Sequence, residues 1–267
     1  PKLDYVAAFS DEVRDAIKGH VFTHDAPGFI SGKADLKESL KFGIVGATEH
    51  PQVDYADVNY ADAPWAPEPT QCVVYASCHD NHTLWDRLTL SRPDATEAER
   101  IRMDKLAAAI VLTSQGVPFL HLGADFLRTK QGVENSYESP DPINQIDWSR
   151  KDRYREVFDY YRGLVALRRG HPAFRLGNAA AIREHLRFLE TDDPLLVAYT
   201  LHGAAAGDSW RDILVAFNGR DAAQTLALPP GSWKVMADDQ QVTEAGIRAA
   251  EGSIEVPATG ALILVQG

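Results

Sequence analysis

The chain has 267 residues, 45% apolar and 24% charged, enough to bury a sizeable core in one large domain or two ordinary ones. A formal net charge of -11 and a pI of about 5.2 exclude the basic stripe of a nucleic-acid binder and disfavour an anionic membrane surface. No apolar segment reaches the roughly 20 residues that span a bilayer, and "PKLDYVAAFS" lacks the basic region, apolar core and cleavage site of a signal peptide.

The first predicted element is a short strand over Tyr5 to Phe9. A helix follows, with Ser10 as N-cap, Asp11 and Glu12 at its positive end and Gly19 closing it. Residues 20–71 are rich in Gly, Pro, Asp and Ala and read as long loops with one helix near Asp35 to Phe42. Val73 to Ser77 is a continuous apolar run, expected as a strand buried on both faces. Thr96 and Glu99 form a capping box, and Ile101, Leu106, Ala109, Ile110 and Thr113 continue at near-helical spacing to a stop at Gly116 and Pro118. "VPFLHLG" reads as another short buried strand. Strand, helix and strand in this order imply parallel pairing with a crossover helix.

"KDRYREVFDYYRGLVALRRGHP" reads as one long amphipathic helix. From about Leu176 the texture changes to short alternating strands ("LRFLE", "LLVAYTLHG", "DILVAFNGR", "AQTLALP", "SWKVMADD", "ALILVQG") divided by Gly, Pro, Asp and Asn, the pattern of an antiparallel sandwich. A domain boundary is placed near residue 175. The expected fold class is α/β followed by all-β. Cys72 and Cys78 stand six residues apart on one extended segment, roughly 20 Å, and cannot bridge each other. Two thiols are too few for a structural zinc site, and the nine histidines include no HExxH pair, so no metal ligands are assigned.

Polar residues gather where strands end. His79 and Asp80 follow one strand, Gly123, Asp125 and Arg128 the next, and Asp11 and Arg14 the first, so that one pocket is expected to collect them. Each has a plain structural alternative: a helix N-cap pair or a buried hydrogen-bonded loop for His79–Asp80, a surface cation at a helix start for Arg128, a first-turn helix acid for Asp11, and core or rim aromatics for Trp85 and Trp148.

The wording of three stretches goes further. "VVYASCHDNHTLWDRL" resembles the fourth conserved region of type I pullulanases in the α-amylase superfamily of glycoside hydrolases. "FSDEVRDAIKG" is similar to the segment after their sixth barrel strand. "LTSQGVPFLHLGADFLRTKQGVENSYESPDPINQIDWSRK" is similar to their eighth strand and the substrate loop after it. The resemblance covers about residues 5 to 175, with the tail matching only as the family's C-terminal β domain. It implies the C-terminal part of a (β/α)8 barrel, about strands six to eight, over residues 1–175, and a β-sandwich domain over 176–267.

By that resemblance Asp80 matches the third carboxylate of the catalytic trio, which stabilises the transition state. His79 matches the histidine holding the same sugar. Asn81, Arg128, Asn135, Tyr137, Asn144, Asp147 and Trp148 match positions near the glucan cleft. Relatives commonly carry an acidic residue at the place of Ala124, a change of loop contact but not of chemistry. The implied substrates are pullulan, limit dextrin or glycogen, cut at α-1,6 linkages with retention. No cofactor is required, and a structural calcium is compatible with loop oxygens.

Retaining glycosidases also need a nucleophilic carboxylate and a general acid. No stretch resembles the family's "GFRFD" or "GE.W" motifs, so the chain alone is expected to be inactive and to be partnered by an N-terminal part of the same polypeptide. The alternative is a non-catalytic α-glucan-binding or regulatory fragment. A third reading is isoamylase-type or α-1,4 specificity.

Overall fold

The computed structural model describes residues 4–267. Three short strands, β1 (Ala8–Phe9), β2 (Cys72–Val74) and β3 (Val117–Pro118), lie parallel in the order β1-β2-β3. Ala8 pairs with Cys72 and Val73 with Val117. Helices α1 (Asp11–Lys18) and α2 (Lys37–Ile44) separate β1 from β2, and α3 (Leu84–Ser91) and α4 (Glu97–Thr113) separate β2 from β3. Local chemistry sets their ends. Ser10 caps α1 by accepting from the Val13 N–H, and Gly19 closes it. Thr96 and Glu99 form the expected reciprocal capping box on α4. Gly43 lets α2 lie against α1, since a Cβ there would stand 2.2 Å from Cγ2 of Val13.

Helix α4 is buried on every side from Met103 to Thr113, as befits a helix with no polar stripe over that stretch. Two expectations need correction. "VPFLHLG" is not a buried strand: its ladder ends after Val117–Pro118, and Val117, Leu120 and Leu122 are substantially exposed. The reason is position, because β3 is an edge with β2 on one side only among the described residues. The long helix read over residues 151–172 is also interrupted. After α5 (Asp141–Asn144), α6 (Ser149–Arg153) stops at Tyr154 and α7 (Arg155–Gly170) starts anew. The break turns the Tyr154 ring into the core, while Arg150 reaches back to the Leu127 carbonyl at 3.0 Å.

The remaining chain contains α8 (Ala179–His185), β4 (Leu186–Phe188), β5 (Leu196–Leu201), β6 (Asp212–Asn218), β7 (Gln224–Ala227), β8 (Trp233–Ala237), β9 (Arg248–Ala250), β10 (Ser253–Val256) and β11 (Gly260–Gln266). Six strands form one antiparallel sheet in the order β4-β5-β6-β11-β8-β9, and β10 pairs with β7 in a small second sheet. Leu214, Ala216, Leu262 and Leu264 point into the space under the small sheet, against Leu226, Ile254 and Val256. Their neighbours Ile213, Val215, Phe217 and Ile263 point the other way, into the core built with α1, α4 and α7. Both faces of β6 and β11 are therefore covered, which is why these strands read as unbroken apolar runs. One core is shared by Val13, Leu106 and Tyr160 from before residue 175 and by Phe217 and Ile263 from after it.

Both cysteines are free, Cys72 buried and Cys78 half-buried. Among the described residues no helix is long and apolar enough to cross a membrane.

Candidate functional site

The run that starts at β2 stays buried through Ser77 and then comes to the surface. Cys78 is half-buried, and the His79 and Asp80 side chains are 83% and 72% exposed. The chain turns back at Asn81, whose φ of 60° is the left-handed conformation that asparagine tolerates best among non-glycine residues. His82 and Thr83 are buried again, and Thr83 caps α3 by accepting from the Asp86 N–H at 3.1 Å. A buried strand and a capped helix thus clamp both ends of a turn that presents His79 and Asp80 outward.

The facing wall is the loop after β3. Gly123 has a φ of 90°, and a Cβ there would come within 2.9 Å of the Arg128 Cβ, so the close turn that brings Arg128 back requires glycine. Arg128 donates to the Asn144 carbonyl at 2.7 Å and to the Leu122 carbonyl at 3.3 Å, and its Nη1 lies 3.3 Å from Nε2 of His121. Burial and then the Arg128 charge push His121 down to about 4, so its imidazole is neutral at ordinary pH and Nε2 is assigned as the acceptor. The Lys130 ammonium donates to the Ser136 hydroxyl at 2.6 Å and to the His79 carbonyl at 3.2 Å, tying the two walls together. Burial and Arg128 pull the Lys130 amine below its ordinary value, while Asp80 and Asp86 pull it up. Asn144 donates to the carbonyls of Ser136 and Ser139 and so holds the loop's own curvature.

These walls enclose a cleft of about 300 Å³. Six of the nine site residues expected from sequence line it: His79, Asp80, Arg128, Asn135, Tyr137 and Asn144. Asn81, Asp147 and Trp148 stand outside. Asn81 donates to Glu134 at 3.2 Å. Asp147 accepts from the hydroxyl and N–H of Ser149, and that hydroxyl bond first of all holds its carboxyl below the usual range. Trp148 is 59% exposed and leans on Phe126 with ring centroids 5.6 Å apart. His121, Lys130, Glu134 and Ser136 line the cleft without having been singled out in the sequence. The expectation that Asp11, Arg14, Gly123 and Asp125 share this pocket is corrected. Arg14 is engaged by Asp11, Asp15 and the Tyr75 hydroxyl, and none of the four lines the cleft.

Residues 182–241 match the family model described as "Pullulanase, all-beta domain". The pullulanase of Bacillus subtilis is 40% identical over 229 residues, which is 86% of this chain. The chain is homologous to the C-terminal part of the pullulanases. It spans 30% of the length of that curated pullulanase. The solved type I pullulanase of the same organism, complexed with maltose, superposes over the whole chain with a TM-score of 0.92 and 36% identity, and 36% of that structure is covered. A pullulanase from Paenibacillus barengoltzii, complexed with maltohexaose and α-cyclodextrin, gives a TM-score of 0.87 and 43% identity, covering 99% of this chain and 39% of the other.

Proposed function

We propose that this chain is part of a debranching glycoside hydrolase, in which Asp80 stabilises the cationic transition state as an α-1,6-glucosidic bond breaks. The observation that carries the reading is the exposed His79–Asp80 pair, held on the turn between β2 and α3 where both side chains line a polar cleft. Glycoside cleavage passes through an oxocarbenium-like state whose positive charge grows on the sugar. A fixed carboxylate close to that sugar becomes a better partner as the charge grows, so its contribution exceeds simple binding. Tyr137, 77% exposed at the rim, offers an apolar face to a sugar ring, and Arg128, Asn135 and Asn144 supply polar contacts. The maltooligosaccharide complexes of the similar structures favour an α-glucan as the occupant.

In this reading β1, β2 and β3 are three consecutive strands of a (β/α)8 barrel, residues 1–175 are the end of its catalytic domain, and residues 176–267 are a β-sandwich domain. An aromatic cluster of Phe9, Tyr75 and Phe119, with Phe9 stacked edge-on against the other two at 4.9 and 5.2 Å, marks the sheet face that would meet the rest of the barrel. Phe9 is 49% exposed. The nucleophile and the general acid of the retaining mechanism would come from outside this chain. Within the cleft, the one carboxyl besides Asp80 among the lining residues is Glu134, already engaged by Asn81 and by His24 at 3.2 Å.

The test is a pair of assays on pullulan. In a polypeptide that joins this chain to the missing barrel strands, Asp80→Asn lowers turnover by roughly 10²-fold or more with folding intact, the scale of losing one transition-state contact. The purified 267-residue chain releases no maltotriose. Near-native turnover by Asp80→Asn removes Asp80 from the mechanism, and maltotriose from the chain alone refutes the absence of the other two acids. The absence of the "GFRFD" and "GE.W" motifs equally supports a non-catalytic glucan-binding protein. Hydrolysis by the joined polypeptide decides against it.

A further inference from the structure

We propose that Cys78, His79 and Asp80 form an inhibitory site for a thiophilic divalent cation, with Zn²⁺ as the probe that fits its donors. The proposal rests on the assignment of Asp80 to the transition state. The Cys78 sulfur, an imidazole nitrogen of His79 and a carboxylate oxygen of Asp80 all lie within 4.8 Å of one another. Sulfur at about 2.3 Å and nitrogen or oxygen at about 2.1 Å from a tetrahedral zinc places donors roughly 3.5 Å apart. His79 Nε2 and Asp80 Oδ1 already meet that spacing at 3.4 Å. The sulfur stands within 4.8 Å of both, and the exposure of the His79 and Asp80 side chains leaves them free to close around an ion with it.

The donor chemistry selects the ion. Thiolate and imidazole suit zinc and copper and do not suit calcium or magnesium, which take oxygen. Three protein ligands leave one position for water. On binding, the Cys78 thiol gives its proton to solvent and the thiolate enters the coordination sphere. Counting cysteines and searching for helical histidine pairs missed this set, because its donors are of three kinds on consecutive residues. Arg128 and Lys130 line the same cleft and oppose a cation, whereas Glu134 favours it. A carboxylate bound to zinc has its charge compensated and its oxygen occupied. It cannot grip sugar hydroxyls, so metal and glucan compete, and inhibition raises KM while kcat stays unchanged.

Two measurements test this. In the chain itself, Zn²⁺ is expected to slow alkylation of Cys78, while Cys72, buried and with its thiol pushed up by that burial, stays unlabelled throughout. Titration with Co²⁺ is expected to give one thiolate-to-metal charge-transfer band per chain, and Cys78→Ser and His79→Gln are each expected to weaken binding at least about tenfold, the smaller end of what losing even a ligand's supporting hydrogen bond does. Unchanged alkylation with Zn²⁺, or native affinity in both variants, overturns the site. In the joined polypeptide, Zn²⁺ is expected to inhibit pullulan hydrolysis competitively, and Cys78→Ser to relieve it at unchanged basal rate. Metal binding without inhibition overturns the regulatory role alone. Near-native turnover of Asp80→Asn without metal marks a failure of the mechanistic assignment instead, so the two failures are distinguishable.

Discussion

The backbone N–H of Lys130 donates to Oδ2 of Asp86 at 2.7 Å, across 44 positions of sequence. Oδ1 of the same carboxylate takes the Thr129 hydroxyl at 2.5 Å. Asp86 is buried at the start of α3, directly after the turn that carries His79 and Asp80. One side chain thereby fixes the loop of Arg128 and Lys130 to the helix behind the opposite wall of the cleft.

Asp86→Ala therefore acts as a positioning change. It strands two donors, each costing roughly 1–3 kcal/mol when left unpaired. Unfolding in urea should show a loss of roughly 2–6 kcal/mol. In the joined polypeptide, KM for pullulan should rise more than kcat falls, because the displaced loop carries binding groups while Asp80 sits on the separate turn between β2 and α3. A loss of kcat at constant KM contradicts this division.

A second buried carboxyl sets a pH dependence. Tyr161 donates to Oδ1 of Asp104 at 2.7 Å between α7 and α4, and Oδ2 of Asp104 has no partner. Burial, reinforced by Asp125, pushes Asp104 up to about 7 from 3.8, against the opposing pull of Tyr161 and Lys105. A folded value raised above the unfolded one means that stability is fully present below about pH 4 and is lost as pH rises through about 7. The span corresponds to a cost on the order of 4 kcal/mol at alkaline pH. Asp104→Asn, which imitates the neutral acid, should flatten the dependence of urea unfolding between pH 4 and pH 8. An Asn variant with the parent's slope assigns that dependence to other groups.

What could be read from the sequence was local. Ser10, Thr96 with Glu99, and the apolar run entering His79 and Asp80 each announce themselves within a few residues. The contact between Asp86 and Lys130 does not, since the path of the chain through space decides it. The same holds for His121, which faces Arg128 only because Gly123 permits the intervening turn. Helix α8 escaped notice because only Ala179 and Ile182 of its seven residues are buried, leaving little period to detect. Strand β9 is exposed or half-exposed throughout, with no apolar alternation. In β6 and β11 the apolar runs marked strands correctly but concealed that helices cover one face and a two-stranded sheet the other.

The joint between the helical part and the six-stranded sheet gives a third prediction. Asp208, in the loop between β5 and β6, accepts from His171 Nδ1 at 2.7 Å, from the Trp210 N–H at 3.0 Å and from the Ala173 N–H at 3.1 Å. The His171 ring lies flat on the Trp210 indole, with centroids 3.3 Å apart. Asp208→Ala leaves three donors without an acceptor at the end of α7 and should cost roughly 3–5 kcal/mol. Trp210 reports the event directly, so tryptophan fluorescence should follow the shifted unfolding transition. A change below about 1 kcal/mol, the worth of an ordinary exposed pair, removes this cluster as a structural joint.

Lys18 provides the last, with the pH window reversed. It closes α1, is 3% exposed, and faces Arg14 and Arg87 as well as Cys78 and Asp15. Burial first, then the Arg14 charge, lowers it from 10.5 to about 8. A lowered folded value on a base means that stability is fully present above about pH 10.5 and is lost as pH falls through about 8. At neutral pH the ammonium then costs on the order of 3 kcal/mol relative to a neutral side chain, from 10.5 minus 8 at 1.36 kcal/mol each. Lys18→Met keeps the unbranched stem and removes the charge. It should raise stability in urea at pH 7 by an amount of that order, and the gain should fade on approaching pH 10.5. A gain equal at both pH values would come from packing alone and would sink the charge-burial account of Lys18.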